Sequence, residues 1–467
     1  MKINRKLFLS TSMLATSLVT LNTPVNALEK PQTMEDMWKI IQVQQKQIDE
    51  MKSAIPAVSA TTQNTTATGD VKKLERKTDV LSEEVEKLRT NLAIPEEAKY
   101  KSAYGLGPAA SKVYQVGRGL SIGGYGEGNY QAITDDKGTG KNNADLERLV
   151  LYTGYKFTDR ILFNSELEFE HATTGEGSEE KGEVSVEFAA LDFFIDPLAN
   201  IRAGMVLMPM GFINQIHEPP FYFGNNRPEV ERRIIPSTWR EIGIGLFGQI
   251  TPDLTYTAYI VNGLNAADFS SSGIRDGRQS GSKASAEDFG YVARMDYTPG
   301  YLPGLSVGGS TYLGNSGQDQ AYGGRKVDVF TQLYEGHLQW KHRGLELRAL
   351  GSYGHIDDAG VLSAASGKTI GSENYGWYAE VGYDVLPLLL PTTTQYLAPF
   401  FRYEQFDTLA SAPVGYADDD TKDKQIYQVG LQYKPIPNVV IKADYRNFTA
   451  KKGDVPDDFN LGFGFIF

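Results

Sequence analysis

Phe459 to Phe467 reads FNLGFGFIF, and this stretch decides the fold. Phe459, Leu461, Phe463, Phe465 and Phe467 stand on one side of an extended chain, and Asn460, Gly462, Gly464 and Ile466 on the other. Side chains alternate across a strand, so this is a strand with one strongly apolar face. The same period returns upstream. Leu345, Leu347, Ala349, Gly351 and Tyr353 alternate with Glu346, Arg348, Leu350 and Ser352. Trp377, Ala379, Val381 and Tyr383 do so with Tyr378, Glu380 and Gly382, as do Tyr427, Val429, Leu431 and Tyr433 with Gln428, Gly430 and Gln432. The 48 glycines, 26 tyrosines and 22 phenylalanines favour β-structure with many turns.

The connections say more than the strands. Seven are short and turn-like: FTDR, DPLAN, TPDL, TPGYLPG, KHRG, LPLLLPTT and KPIPN. Eight are longer and polar, near residues 134–143, 172–181, 209–238, 265–286, 315–324, 356–371, 407–422 and 451–457. Short and long alternate, and together they join about 16 strands. An even strand count with short turns on one rim and long loops on the other describes an antiparallel transmembrane β-barrel of outer-membrane type. Tyr155, Phe157, Tyr297, Trp340, Tyr383 and Tyr433 stand just before short turns, where amphipathic rings meet lipid headgroups. Lipid and lipopolysaccharide are therefore expected around the barrel. No run of about 20 apolar residues follows the N-terminal region, so no helical span is expected.

Residues 1–27 read as a secretory leader, with Lys2, Arg5 and Lys6, an apolar run from Leu7 to Leu21, and Val25-Asn26-Ala27 at the cleavage point. Residues 28–95 read as a periplasmic coiled coil in two blocks around a Ser/Thr-rich linker. Met34, Met37, Ile41, Ile48, Met51 and Ile55 mark the first block; Val71, Leu74, Thr78, Leu81, Val85, Leu88 and Leu92 mark the second. Blocks this short need partner strands, so a homo-oligomer is expected. Residues 96–115 form a connector, and 116–467 the barrel.

The chain carries 46 basic and 58 acidic residues, and losing the leader's three basic residues leaves a net charge of −15. That argues against nucleic acid as a partner. There is no cysteine, hence no disulfide framework and no thiolate metal site. HEPPF at His217 is not a HExxH zinc motif, and GTGKNN at 138–143 lacks P-loop spacing. The acidic ADDDTKD at 417–423 reads as a solvated loop tip more than a divalent-ion site. No nucleophile–base constellation stands out, so neither enzyme activity nor a cofactor is expected.

With the apolar face on lipid, the other face lines an aqueous lumen. Arg148, Glu166, Glu168, Arg202, Arg294, Arg348, Glu380, Arg402, Lys442 and Arg446 are placed there, with Asn164, Glu170, Glu187, Glu335, Glu346 and Glu404. The third long connection holds HEPPFYFGNNRPEVERRIIPSTWRE, residues 217–241, with four prolines and four arginines. A loop this long is usually functional. It is expected to fold inward as a constriction, with Arg227, Glu229, Glu231, Arg232, Arg233 and Arg240 at the opening.

GMVLMPMGFINQ, this loop and the following IGIGLFG resemble the phosphate-selective porin O/P family. The N-terminal heptads resemble the extension of DcaP-type channels. The resemblance implies a trimeric, 16-stranded outer-membrane channel with a periplasmic stalk, and basic residues on the third loop. Arg227, Arg232, Arg233 and Arg240 stand there, with no lysine. The function expected is passive diffusion of small hydrophilic solutes or ions, anions among them. The alternative is a structural anchor, or an adhesin using the coiled coil or external loops.

Overall fold

The structure, a computed structural model, describes residues 101–135, 137, 140–174 and 182–467, together with Lys77. The chain divides into two units, Met1–Glu97 and Ala98–Phe467. The expected leader and heptad blocks, Lys77 apart, and residues 96–100 of the expected connector lie outside the described residues.

The second unit is a closed antiparallel barrel of sixteen strands. In chain order these are β1 (Gly119–Ile133), β2 (Asn143–Lys156), β3 (Ile161–Glu170), β4 (Val184–Asp196), β5 (Ala199–Leu207), β6 (Arg240–Thr251), β7 (Leu254–Asn262) and β8 (Phe289–Tyr297). Then follow β9 (Leu305–Asn315), β10 (Phe330–His342), β11 (Leu345–Ile356), β12 (Glu373–Tyr383), β13 (Tyr396–Ser411), β14 (Asp423–Ile436), β15 (Val439–Ala450) and β16 (Asp458–Ile466). Each strand pairs with its neighbour in sequence, and β16 closes on β1 from Tyr125↔Ile466 to Ile133↔Asp458. Closure removes every sheet edge, so all strand backbone groups can pair without water. The expected alternation of seven short and eight long connections holds around the whole circumference. β13 runs further than expected, to Ser411, because Ser372 donates its N–H to the Ser411 carbonyl and extends the ladder.

The period of two becomes two surfaces. On β16, Phe459, Leu461 and Phe463 are exposed, while Asp458 and Asn460 are buried. Leu120 and Ile122 on β1, Ile242, Ile244 and Leu246 on β6, and Val429 and Leu431 on β14 continue the outer apolar belt. Tyr155, Phe157, Tyr297 and Tyr383 lie exposed at its short-turn border. At the seam, Gly124 exchanges N–H and carbonyl with Phe467 at 3.0 and 2.9 Å. A Cβ on Gly124 would sit 2.6 Å from the Phe467 ring, so glycine lets the ring lie flat across the closure.

Inside, residues 103–114 form an unexpected internal element. Leu106, Ala109, Ala110 and Val113 are buried, and Leu106, Ala109 and Ala110 pack with Tyr125, Val150, Tyr152 and Ile466 from the barrel's inner face. Asn164 of β3 donates to the Ala110 carbonyl at 2.9 Å, and Val113 fills the space left by Gly154 of β2. This stretch reads as mere connector because AYGLGPAASKVY has neither helical nor strand period.

The apolar belt predicts a depth-dependent charge penalty. Leu461→Arg, at mid-strand, should cost about 2–4 kcal/mol in denaturant titrations of refolding into phospholipid vesicles. Val414→Arg, on a fully exposed loop, should stay within about 0.5 kcal/mol of the parent. Equal losses from the two would mean that Leu461 does not meet lipid.

Candidate functional site

The connection from β5 to β6 crosses the lumen, and its own sequence builds the neck. Met208 N–H donates to the Trp239 carbonyl at 2.9 Å, bringing the loop's ends together. The Asn214 amide donates to the Met208 and Trp239 carbonyls, and its oxygen accepts from Trp239 N–H. Glu231 sits on the short helix Glu229–Arg233 and is buried. One of its oxygens accepts from the N–H groups of Phe212 and Ile213 at 2.8 and 2.7 Å, and the other from the Tyr378 hydroxyl at 2.6 Å. Gly211 holds φ +67° directly against that carboxylate, where any Cβ would strike it. Val230, Ile234, Ile235 and Trp239 complete an apolar core with Met208 and Met210.

The barrel wall then grips the loop backbone. Arg294 donates to the Gly211 carbonyl at 2.5 Å, Arg348 to Phe221 at 2.9 Å, Arg402 to Phe223 at 2.7 Å and Lys442 to Gly224 at 2.8 Å. Asp444 accepts from Asn225 N–H and Glu404 from Val230 N–H. Tyr222 donates to Glu127 at 2.6 Å, and Phe223 stacks on Phe400 at 5.0 Å between ring centres. These contacts come from β1, β8, β11, β13 and β15, which are spread around the barrel. Four basic residues expected on an open lumen wall thus each give a donor to a loop carbonyl.

The remaining sequence-derived residues form several further pairs and clusters. Arg202 binds Asp192 at 2.7 Å and the Tyr104 carbonyl, so it holds the internal segment rather than the loop. Arg148 pairs with Glu127 at 2.8 Å, Glu147 at 2.9 Å and Glu168 at 3.1 Å. Glu380 bridges Arg402 at 2.8 Å and Arg348 at 3.4 Å. Arg240 meets Glu187 at 2.6 Å, and Arg446 meets Asp458 and Glu229. Glu166 faces His217 at 3.1 Å.

The loop's charges are set by burial and arginines together. Burial opposes ionisation of Glu229, but Arg232, Arg233 and Arg446 overcome it and hold the carboxyl down to about 2. Burial, reinforced by Arg227, pushes His217 down to about 3, so it is neutral near pH 7. Burial raises Glu218 to about 8, although the Ala110 and Ala109 N–H groups favour its charged form. Those N–H groups lie 3.2 and 2.9 Å from one Glu218 oxygen and join the loop to the internal segment.

Sequence reasoning missed several members. Arg275 and Arg278, on the next long loop, donate to the Ser237 carbonyl at 2.9 and 2.6 Å. Burial and the neighbouring arginines Arg278, Arg232, Arg227 and Arg233 lower Arg275 to about 9. Glu147 was missed because strict alternation with Arg148 places it outside. The β1–β2 register shifts between Glu127 and Asn129, where β2 carries an extra residue between Arg148 and Asp145, and this turns both Glu147 and Arg148 inward. Ser310 donates to Glu335, and His337 faces Glu335 and Asp296.

No known family profile matches the chain. Among solved structures, it resembles Salmonella typhi OmpF in complex with daunomycin, with a TM-score of 0.52 and 14% identity over 75% of this chain and 98% of that one. The outer membrane channel DcaP of Acinetobacter baumannii aligns with a TM-score of 0.46 and 14% identity over 74% of this chain and 97% of that one. Likeness at such identity speaks to fold alone, here a closed antiparallel barrel. An uncharacterized protein of Aquifex aeolicus (strain VF5) is 42% identical over 372 residues, covering 77% of this chain and 82% of that protein. That identity and span place the chain in one family with the uncharacterized Aquifex protein.

Proposed function

We propose that the chain is an outer-membrane channel for passive diffusion of small hydrophilic solutes or ions, with Met208–Trp239 as its constriction. The observation that supports this most is the set of hydrogen bonds between that loop and β1, β8, β11, β13 and β15. A loop held from so many sides narrows the lumen without depending on its own stiffness. Arg232 and Arg233 remain the more exposed of its charges, with side chains 40% and 44% accessible, and they act on passing ions. Arg227, Glu229, Glu231 and Arg240 are buried and act through position and field. The likeness of residues 204–248 to the phosphate-selective porin O/P family agrees with this reading.

In the same proposal, residues 1–27 are removed on export and residues 28–95 form a periplasmic coiled coil that joins three chains. Residues 96–115 connect it to the barrel. Lipid and lipopolysaccharide surround the outer belt. A plugged structural anchor is the second reading, favoured by the internal segment Leu106–Val113.

Planar-bilayer recording separates the two. Folded protein should give discrete conductance steps, and its absence sinks the channel in favour of the anchor. Arg232→Ala with Arg233→Ala should shift the reversal potential in a salt gradient toward cation preference. An unchanged potential would put both arginines outside the ion path.

Glu218 makes the internal segment pH-sensitive. Its carboxyl is raised from 4.5 to about 8, so the docked state binds more protons between those values. Docking is strongest below the ordinary carboxylate range and weakens as pH rises through 8. Hydrogen exchange of residues 103–115 should accelerate from about pH 6 to about pH 9 beyond the intrinsic rate, and Glu218→Gln should remove the excess. The same excess in the variant would acquit Glu218.

A further inference from the structure

At the short-turn rim of the barrel lies a cavity of about 800 Å³, bounded by the internal segment, by the ends of β4 to β8 and by Gln215 of the β5–β6 loop. One wall is aromatic. The rings of Tyr104, Tyr114, Phe194 and Phe247 meet edge-on or tilted, with centres between 4.9 and 6.2 Å apart. The Arg202 guanidinium lies 4.9 Å from the centre of the Phe247 ring, and Asp192 holds that guanidinium at 2.7 Å. The cluster is therefore braced from behind.

Tyr104 is its open member. It stands at φ +51° and Gly105 at φ +77°, the two central residues of a tight turn that Leu106 N–H closes on the Ala103 carbonyl at 3.0 Å. Turns of this kind favour Asn-Gly, because a left-handed backbone crowds the Cβ of other residues. The chain places a tyrosine there and leaves it 46% exposed on the cavity. Packing alone asks for a buried ring, and the turn alone asks for asparagine. A half-open tyrosine satisfies neither, and it does offer a ring to a ligand.

The rest of the wall is polar, and its inner charges are already taken up. Arg294 is bound to Asp296 at 2.7 Å and to the Gly211 carbonyl. Asp159, Arg160 and Asp196 stand on the exposed turns at the mouth. Neutral groups remain. Gln215 is buried with its amide across Gly105, and Thr255 and Thr257 of β7 face the same space. Among the described residues, no side-chain hydrogen bond engages any of these three. Gln249 donates to the Pro252 carbonyl at 2.8 Å and turns its amide oxygen to the cavity. Amides and hydroxyls both donate and accept, so they suit a ligand rich in hydroxyls.

We propose that this cavity binds a short neutral oligosaccharide, with one pyranose stacked on Tyr104 and its hydroxyls bonded to Gln215, Thr255 and Thr257. A pyranose matches both halves of the wall. Its C–H face is apolar and flat enough for an aromatic ring, and its rim of hydroxyls donates and accepts. The volume lies within the usual range of small-ligand sites, about 300–1,000 Å³. The site goes beyond the channel reading and stands whether or not the barrel conducts, because occupancy needs only the rim.

Saturation-transfer NMR tests it on full-length protein in dimethyldodecylamine oxide micelles, which contain no sugar. Maltotriose should bind. Sorbitol, which has the hydroxyls without the ring face, and benzamide, which has the ring without the hydroxyls, should not. Tyr104→Asn should weaken maltotriose about tenfold without lowering the melting temperature, since asparagine suits the turn. Tyr104→Phe should bind as the wild type does, and Gln215→Met, which leaves the turn untouched, should weaken binding severalfold. Chitotriose separates two sources of the same chemistry. Tighter binding of this N-acetylated sugar assigns the site to cell-wall glycan, and tighter maltotriose to a free sugar; both keep a pyranose on Tyr104. Sorbitol binding as well as maltotriose removes the stacking role, and benzamide binding alone means a flat aromatic site. Maltotriose binding unchanged in Tyr104→Asn places the sugar elsewhere. Each of these overturns the proposal, as does a folded wild type that gives no maltotriose signal. None of them touches the channel reading, which stands or falls on conductance.

Discussion

Irregular backbone inside a barrel has no ladder to pair with, and the rest of this lumen follows from that constraint. Met208–Trp239 must find partners for its carbonyl and N–H groups away from bulk water. The wall answers with cations on carbonyls, from Arg294, Arg348, Arg402 and Lys442, and with carboxylates on N–H groups, from Asp444 and Glu404. Hydrogen bonds to charged groups contribute about 1.5–3 kcal/mol each, so several together fix the loop in place. The cost is that these charges are buried, and each then needs its own counter-ion. Arg402 shows the consequence: it is fully buried, bonds the loop, and still pairs with Glu380 at 2.8 Å. Removing one member of such a pair costs about 3–5 kcal/mol, which makes the network cooperative.

How much of this was legible in the sequence depends on which physical effect left a trace. Lipid on one face and water on the other writes a period of two, so FNLGFGFIF, the strand order and the alternation of turns and loops could all be read directly. The inward direction of Arg348, Arg402 and Glu380 follows from the same period. What those side chains bind does not. A carbonyl acceptor is present at every residue, so nothing in HEPPFYFGNNRPEVERR marks Phe221, Phe223 and Gly224 as the ones to be gripped. Arg275 and Arg278 were hidden because loop-to-loop contact has no sequence period. Glu147 was hidden because a bulge breaks the period that would have located it.

The internal segment adds a second kind of constraint. Leu106, Ala109 and Ala110 give the lumen a small apolar core where a water-filled barrel would have none. Small residues are what such a place requires. Ala109 lies over Gly123 and Val113 over Gly154, and a methyl group on either glycine would meet the segment at 2.7 Å or less. Glycines on β1 and β2 therefore serve two surfaces. Inward ones admit the segment, while outward ones such as Gly126 admit the phenylalanine rings of β16.

Net charge is a poor guide to the field a solute meets here. The sequence is acidic overall, at −12 for the full chain. Part of that excess lies on loop tips such as Asp418–Asp420, where Lys451 pairs with Asp420 and solvent screens the rest. Inside, each charge counts for more, because it is buried and little screened. Arg227 has no carboxylate within ion-pair distance among the described residues, and Arg275 is surrounded by other arginines. Arg227 lies within Coulombic reach of Glu147 on β2 and of Glu166 and Glu168 on β3. A chain with pI near 5.1 can therefore present arginines on the loop that enters its barrel. What matters is where strand register and one clamped loop place charges whose sum says almost nothing.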